Sequence, residues 1–341
     1  MKYLILAEGF SADPHYGKTA HGVLRYRRDD VVAILDSTRE PGATEDGVPV
    51  VQTVQEATQY EPTTALVGVA TQGGRFPPAW LGLLRQCVDA GLDIENGLHV
   101  FLEDDPELAE LARDRGVELR DLRRPPRDIS TATGENLSVP ATIVLTVGSD
   151  CAIGKMTVSL ELDREARGRG IKSLFVPTGQ TGIAIAGWGI AVDAVVADFI
   201  AGAAERLVVE GHERAGELLW VEGQGAILHP VYSGVTLGLY HGSVPHALVL
   251  CHEVGHEEIE GAGGGPHRIP SLSELVDLHE RLALPARPAR VVAIALNTRR
   301  VGEDEARQAI AAAEAETGLT ADDPVRFGAA RLVDAVLAGT D

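Results

Sequence analysis

The chain has 341 residues, which suits two domains of ordinary size. It is 45% hydrophobic and 23% charged, the balance of a globular protein with a real core, and with aromatics at only 4% that core must rest on Val, Leu, Ile and Ala. A net charge of -20 argues against a nucleic-acid partner, which wants a basic surface, and no apolar run reaches the length of a membrane span.

The N-terminal MKYLILAEGF is interrupted by Glu8 too soon for a secretion signal and reads as a first β-strand, Tyr3–Ala7. Further buried-strand runs follow at Asp30–Asp36 and Ala65–Ala70. Helices are expected at Ala79–Ala90 and at Pro106–Arg115, the second behind an acidic Glu103–Asp105 start that suits a helix N-terminus. Strands alternating with helices predict a parallel sheet covered on both faces. No G-x-G-x-x-G follows the first strand, so the expectation is a Rossmann-like shape without dinucleotide binding. Arg123-Arg124-Pro125-Pro126-Arg127 reads as a linker, giving domains of residues 1–126 and 138–341. The second domain is read with strands at Ala141–Val147, Lys172–Val176, Leu218–Val221, Ala247–Cys251 and Val291–Leu296, and with a mobile loop at the glycine tract Gly261–Gly265. The fold class is therefore α/β, a Rossmann-like N-terminal domain plus a P-loop NTPase-like parallel-sheet domain.

The strongest motif is the phosphate cradle Gly148, Ser149, Asp150, Cys151, Ala152, Ile153, Gly154, Lys155, Met156 and Thr157, set between an apolar strand and a helical run at Val158–Gly168. Backbone N–H groups at such a helix start face an anion, and the lysine adds a point charge. Only four of the 30 basic residues are lysines, and one sits here. Five residues separate the glycines rather than four, as in the longer loop of dethiobiotin synthetase, and Met156 stands where the Mg²⁺-ligating hydroxyl is usual. Moving that hydroxyl to Thr157 turns it by about 100° around the helix, which weakens the case for NTP hydrolysis and leaves phosphate binding intact. Cys151 is read as a small filler.

Other candidates cluster at strand ends. Glu222, in Val221-Glu222-Gly223-Gln224-Gly225, ends an apolar strand where an acid faces the phosphates. Gln180, Thr181 and Gly182 follow another strand, where open α/β sheets bind ligands, and with Gln224 and His241 they form the candidate substrate contacts. Asp198, in apolar surroundings, is read as a buried acid or a surface one, and His229 is a candidate proton carrier. Asn297, ending the last apolar strand, is a candidate reader of an adenine edge. Cys251, His252, His256 and His267 fall in one stretch, but Gly255 and the glycine tract argue for loop, so no metal set is expected. Three widely spaced cysteines, Cys87, Cys151 and Cys251, argue for a reducing compartment and a cytoplasmic protein.

These segments together resemble domain-of-unknown-function family 1611. The resemblance runs end to end through Gly73-Gly74, Gly97-Leu98-His99, the cradle, the Thr178–Gly182 turn, Asp193 and Asp198, the Glu222 motif, His229-Pro230 and Leu239–Ser243. It implies acetyl-CoA-dependent N-acetylation of D-glutamate, with the cradle on the phosphates of coenzyme A and Glu222, Asp198 or His229 as base. The cofactor expected is acetyl-CoA, the partner a small amino acid, and the assembly a homo-oligomer. The alternatives are an ATP- and Mg²⁺-dependent ligase or kinase like dethiobiotin synthetase, and a nucleotide-sensing binding protein.

Overall fold

A computed structural model of the chain describes residues 1–13, 16–71, 74–77, 80–214, 216–261 and 267–340. Two compact units emerge. The readings at Gly73, at Ala79 and in the glycine tract beyond Gly261 lie outside the described residues.

The first unit comprises Met1–Pro125 and Gln180–Ala194. Its strands are β1 (Tyr3–Leu6), β2 (Val31–Leu35), β3 (Thr44–Glu45), β4 (Val48–Val51), β5 (Thr64–Val67), β6 (Asp93–Asn96) and β7 (Leu119–Asp121). They line up as β3-β4-β2-β1-β5-β6-β7, parallel except for β3 against β4, the Rossmann-like order expected. Helices α1 (Lys18–Tyr26), α2 (Val54–Ala57), α3 (Trp80–Asp89) and α4 (Pro106–Arg115) lie between the strands in sequence. The acidic start predicted for α4 is real: the Asp105 carboxylate accepts from Glu107 N and Leu108 N at 3.1 and 3.0 Å. Asp36, at the end of β2, accepts from Gly9 N and Ser11 N, so the acid that dinucleotide folds aim at ribose is spent on the loop after β1.

Strand β6 is one the sequence hides. Its DIEN reads as polar, yet Glu95 is buried because Tyr3 donates to it at 2.8 Å and Arg120 at 2.8 Å. A charge is tolerated in a sheet interior only with such partners.

The second unit comprises Pro126–Gly179 and Val195–Asp341. It therefore begins before Ser138: Glu205 accepts from Thr133 N, and Asn136 donates to the Gly242 carbonyl. Its strands are β8 (Thr142–Gly148), β9 (Ser173–Val176), β10 (Leu218–Val221), β11 (Ala247–Glu253), β12 (Arg290–Asn297) and β13 (Thr320–Asp322). All pair in parallel, in the order β13-β12-β11-β8-β10-β9. Between them run α5 (Lys155–Gly168), α7 (Ile200–Glu213), α8 (Ser233–Ser243), α9 (Leu272–Arg281) and α10 (Glu303–Thr317), and α11 (Ala330–Thr340) follows β13. After β8 the chain builds β9 and β10 on one side, then crosses to β11 on the other. The loops after β8 and β11 thus leave in opposite directions and open the crevice in which α/β sheets bind ligands.

The remaining helix, α6 (Gln180–Ala186), follows β9 in sequence but belongs to the first unit. Arg123, read as linker, is instead buried and binds it: its guanidinium donates to the Gly97 carbonyl at 2.7 Å, to Gln180 Oε1 at 2.7 Å and to Asp193. Among the described residues no helix is long and apolar enough to cross a membrane.

His246 gives the second unit a pH dependence. Its Nδ1 accepts from Ile143 N at 3.0 Å, and burial followed by the Arg287 charge pushes its pKa down from 6.5 to about 4. The unfolded chain binds more protons between those values, so this stabilisation is complete above pH 6.5 and is lost as the pH falls toward 4. Burial shifts His252 and His279 in the same direction. In thermal melts from pH 7 to 4.5, His246→Gln should show a smaller fall in melting temperature than the unaltered chain; an identical fall would assign the acid sensitivity elsewhere.

Candidate functional site

Strand β8 is apolar to its end and delivers Gly148 to the crevice, where the chain must turn before α5. Ala152 adopts φ 54° and Gly154 φ 111°. The second value is open essentially to glycine alone, which is why Gly154 caps α5. A glycine cap brings no side chain, so the first N–H groups of α5 are left for an anion.

Lys155 folds beneath the loop. It is buried and Nζ donates to the Asp150 carbonyl at 2.6 Å. Burial lowers its pKa, opposed by the charges of Cys151, Cys251, Asp150 and Glu222. Two neighbours brace the loop. Ser149 N donates to the Cys251 carbonyl at 3.1 Å, and Ser149 Oγ meets His252 Nδ1 at 2.9 Å. Asn297 Nδ2 donates to the Ile153 carbonyl at 3.0 Å, and its Oδ1 accepts from Arg299 N at 3.2 Å. Asn297, read as an adenine contact, is therefore occupied with holding the cradle.

Glu222 sits where the motif puts it, one residue past β10, and is buried. Its Oε2 accepts from Thr178 N and Gly179 N at 2.9 and 3.1 Å, and its carbonyl accepts from Thr178 Oγ1 at 2.7 Å. Gly223 N donates to Thr146 Oγ1 at 2.9 Å, and a Cβ there would run into the Thr146 carbonyl, so this glycine allows the motif to lie against β8. Thr236 Oγ1 holds the Gln224 carbonyl at 2.8 Å.

The other sequence candidates fare differently. Gln180, Thr181 and Gly182 fall in α6 and count with the first unit: Gln180 is bonded by Arg123 and Thr181 by Thr19 at 2.8 Å. Asp198 is exposed, which resolves it as a surface acid rather than a buried one. His241 Nε2 bonds the Leu282 carbonyl at 2.8 Å, a helix-to-loop tie. His229 is buried, with Nε2 at 3.0 Å from the Glu260 carbonyl and Nδ1 accepting from Val231 N at 3.2 Å. Both ring nitrogens are thus engaged.

Cys251, His252, His256 and His267 do not converge on one point. His252 lies in β11 against Ser149, while His256 Nε2 bonds Asp150 Oδ2 at 2.8 Å. Sequence reasoning noticed these histidines and missed their target, the loop about a hundred residues upstream, which only the pairing of β8 with β11 brings near. What does converge is Asp150, Cys151 and His229, whose donor atoms all lie within 4.8 Å of one another.

Comparison with known proteins fits this arrangement. Residues 130–333 match the P-loop domain model of domain-of-unknown-function family 1611, and residues 37–125 match its N-terminal Rossmann-like domain. A D-glutamate N-acetyltransferase of Tritonibacter scottomollicae is 39% identical over 335 residues, covering 98% of both chains. Another from a Pseudoalteromonas species is 35% identical over 284 residues, covering 83% of this chain and 82% of the relative. The crystal structure of a family member from Anabaena variabilis matches with a TM-score of 0.91 at 39% identity, over 99% of both chains. With family models on both units and relatives matched nearly end to end, the chain belongs to domain-of-unknown-function family 1611.

Proposed function

We propose that the protein transfers an acetyl group from acetyl-CoA to the amine of D-glutamate. The observation that carries this reading is the match to a D-glutamate N-acetyltransferase over 98% of both chains, which spans the cradle and the Glu222 motif alike. The cradle supports it chemically. Coenzyme A brings phosphates, which suit the N-terminus of α5 and the Lys155 charge. With Met156 directly after the lysine, the cradle lacks the usual metal-ligating hydroxyl of an NTP hydrolase.

The acceptor amine must shed a proton before attacking the thioester, since even a peptide α-amino group titrates near roughly 7.7–8.0. Glu222 is the group we assign to receive it. Its Oε2 is oriented by the backbone N–H groups of Thr178 and Gly179 at the end of the neighbouring strand. His229 is engaged at both nitrogens and Asp198 is exposed, which ranks both below Glu222. The amine nitrogen then bonds to the acetyl carbon, the carbon–sulfur bond breaks, and the departing thiolate takes up a proton.

The direct test incubates the purified chain with acetyl-CoA and D-glutamate. Free thiol and N-acetylglutamate should appear together, and faster than with L-glutamate; product formed only with ATP and Mg²⁺ would replace this reading with the ligase one.

Lys155→Ala should weaken acetyl-CoA binding by about 1–3 kcal/mol, the range for losing a charge-assisted hydrogen bond, as read by calorimetry. Unchanged affinity would remove the cradle from the site.

Glu222→Gln keeps an oxygen for Thr178 N and Gly179 N but removes the basicity. It should lower kcat by about 10²–10⁴-fold while acetyl-CoA affinity holds. An unchanged kcat would move the proton transfer to another group.

A further inference from the structure

The geometry points to a binding site for a soft divalent cation of the zinc class, formed by the Asp150 carboxylate, the Cys151 thiolate and the His229 imidazole beside the P-loop. Their donor atoms lie within 4.8 Å of one another. Zinc bonds of about 2.0–2.3 Å at tetrahedral angles put donors roughly 3.3–3.7 Å apart, so loading asks for a contraction of about an ångström. The donor set selects the metal. Hard Mg²⁺ and Ca²⁺ take oxygen ligands, whereas sulfur with imidazole and one carboxylate suits zinc. Three protein ligands leave a position for water or for an oxygen of a bound molecule, the pattern of reactive rather than structural zinc.

The surroundings are those of a supported site. Asp150 is fully buried and held by three donors: Cys151 N to Oδ1 at 2.7 Å, and His256 Nε2 and Glu260 N to Oδ2, each at 2.8 Å. Such outer contacts orient a ligating carboxylate. His229 is fixed in turn by the Glu260 carbonyl and Val231 N, and one ring nitrogen must exchange its backbone partner for the metal while the other keeps its own. Lys155 lies close enough to act on both Asp150 and Cys151. The two anionic ligands together offset the added positive charge. Binding follows Cys–SH + M²⁺ → Cys–S–M⁺ + H⁺, so affinity should fall as the pH is lowered. The site does not depend on the acetyltransferase reading.

The test uses the full chain stripped of metal, titrated with Zn²⁺ by calorimetry and with Co²⁺ by absorption. The expected result is one ion per chain, with a sulfur-to-cobalt charge-transfer band that disappears in Cys151→Ser and persists in Cys251→Ser. Zinc affinity should drop at least 100-fold in Cys151→Ser and in His229→Gln. It should drop about 10–100-fold in His256→Ala, the range for an outer-contact residue. Circular dichroism checks each variant for folding; should His229→Gln fail it, Cys151→Ser decides alone. Absence of zinc binding, wild-type affinity in Cys151→Ser, or a cobalt band that survives it would overturn the proposal.

Discussion

Burying an ammonium group costs several kcal/mol unless hydrogen bonds and opposite charge compensate it, and the second unit is arranged around that constraint at Lys155. The compensation comes from the loop itself. The Asp150 carbonyl turns inward to accept from Nζ, and the Asp150 and Glu222 carboxylates supply opposite charge nearby. Turning the carbonyl inward sets the path of the loop, with Ala152 and Gly154 at positive φ. That path exposes the first N–H groups of α5. The path of the loop and the exposure of those N–H groups thus have one origin.

The neighbours of the loop follow from the same demand. A turn holding two residues at positive φ is kept only if its surroundings over-determine it. Ser149 is fixed by β11 and His252, Asp150 by His256 and Glu260, and Ile153 by Asn297. Two strands, β11 with the chain that follows it and β12, therefore contribute to one loop. They meet because β8 is the central strand at which the chain reverses its direction of build. His252 and His256, neighbours in one short stretch, are both used in this bracing.

The first unit contains a second buried cation handled in the same way. Arg123 uses all three of its nitrogens on Gly97, Gln180 and Asp193, and so fastens a stretch of chain from beyond the cradle to the end of the first sheet. Arginine's planar fork suits this, since each donor has a fixed direction and loses little freedom on bonding. Gln180 and Thr181, which carry polar groups suited to a ligand, are held in this attachment by Arg123 and Thr19.

The sequence by itself determined the class of each unit, the cradle and the position of Glu222, because these rest on local information. An apolar run of four to eight residues forces a strand, a glycine after it forces a turn, and Asp105 ahead of a proline starts a helix. Strand β6 escaped because its acid is buried by Tyr3 and Arg120, partners 92 and 25 residues away. Tertiary structure alone decided which unit owns α6, that Arg123 is interior rather than linker, that Asn297 braces the loop, and that Asp150, Cys151 and His229 converge. Each of those outcomes depends on hydrogen bonds or donor spacing between residues distant in sequence. Composition and periodicity carry no information about such pairs until strand order brings them together.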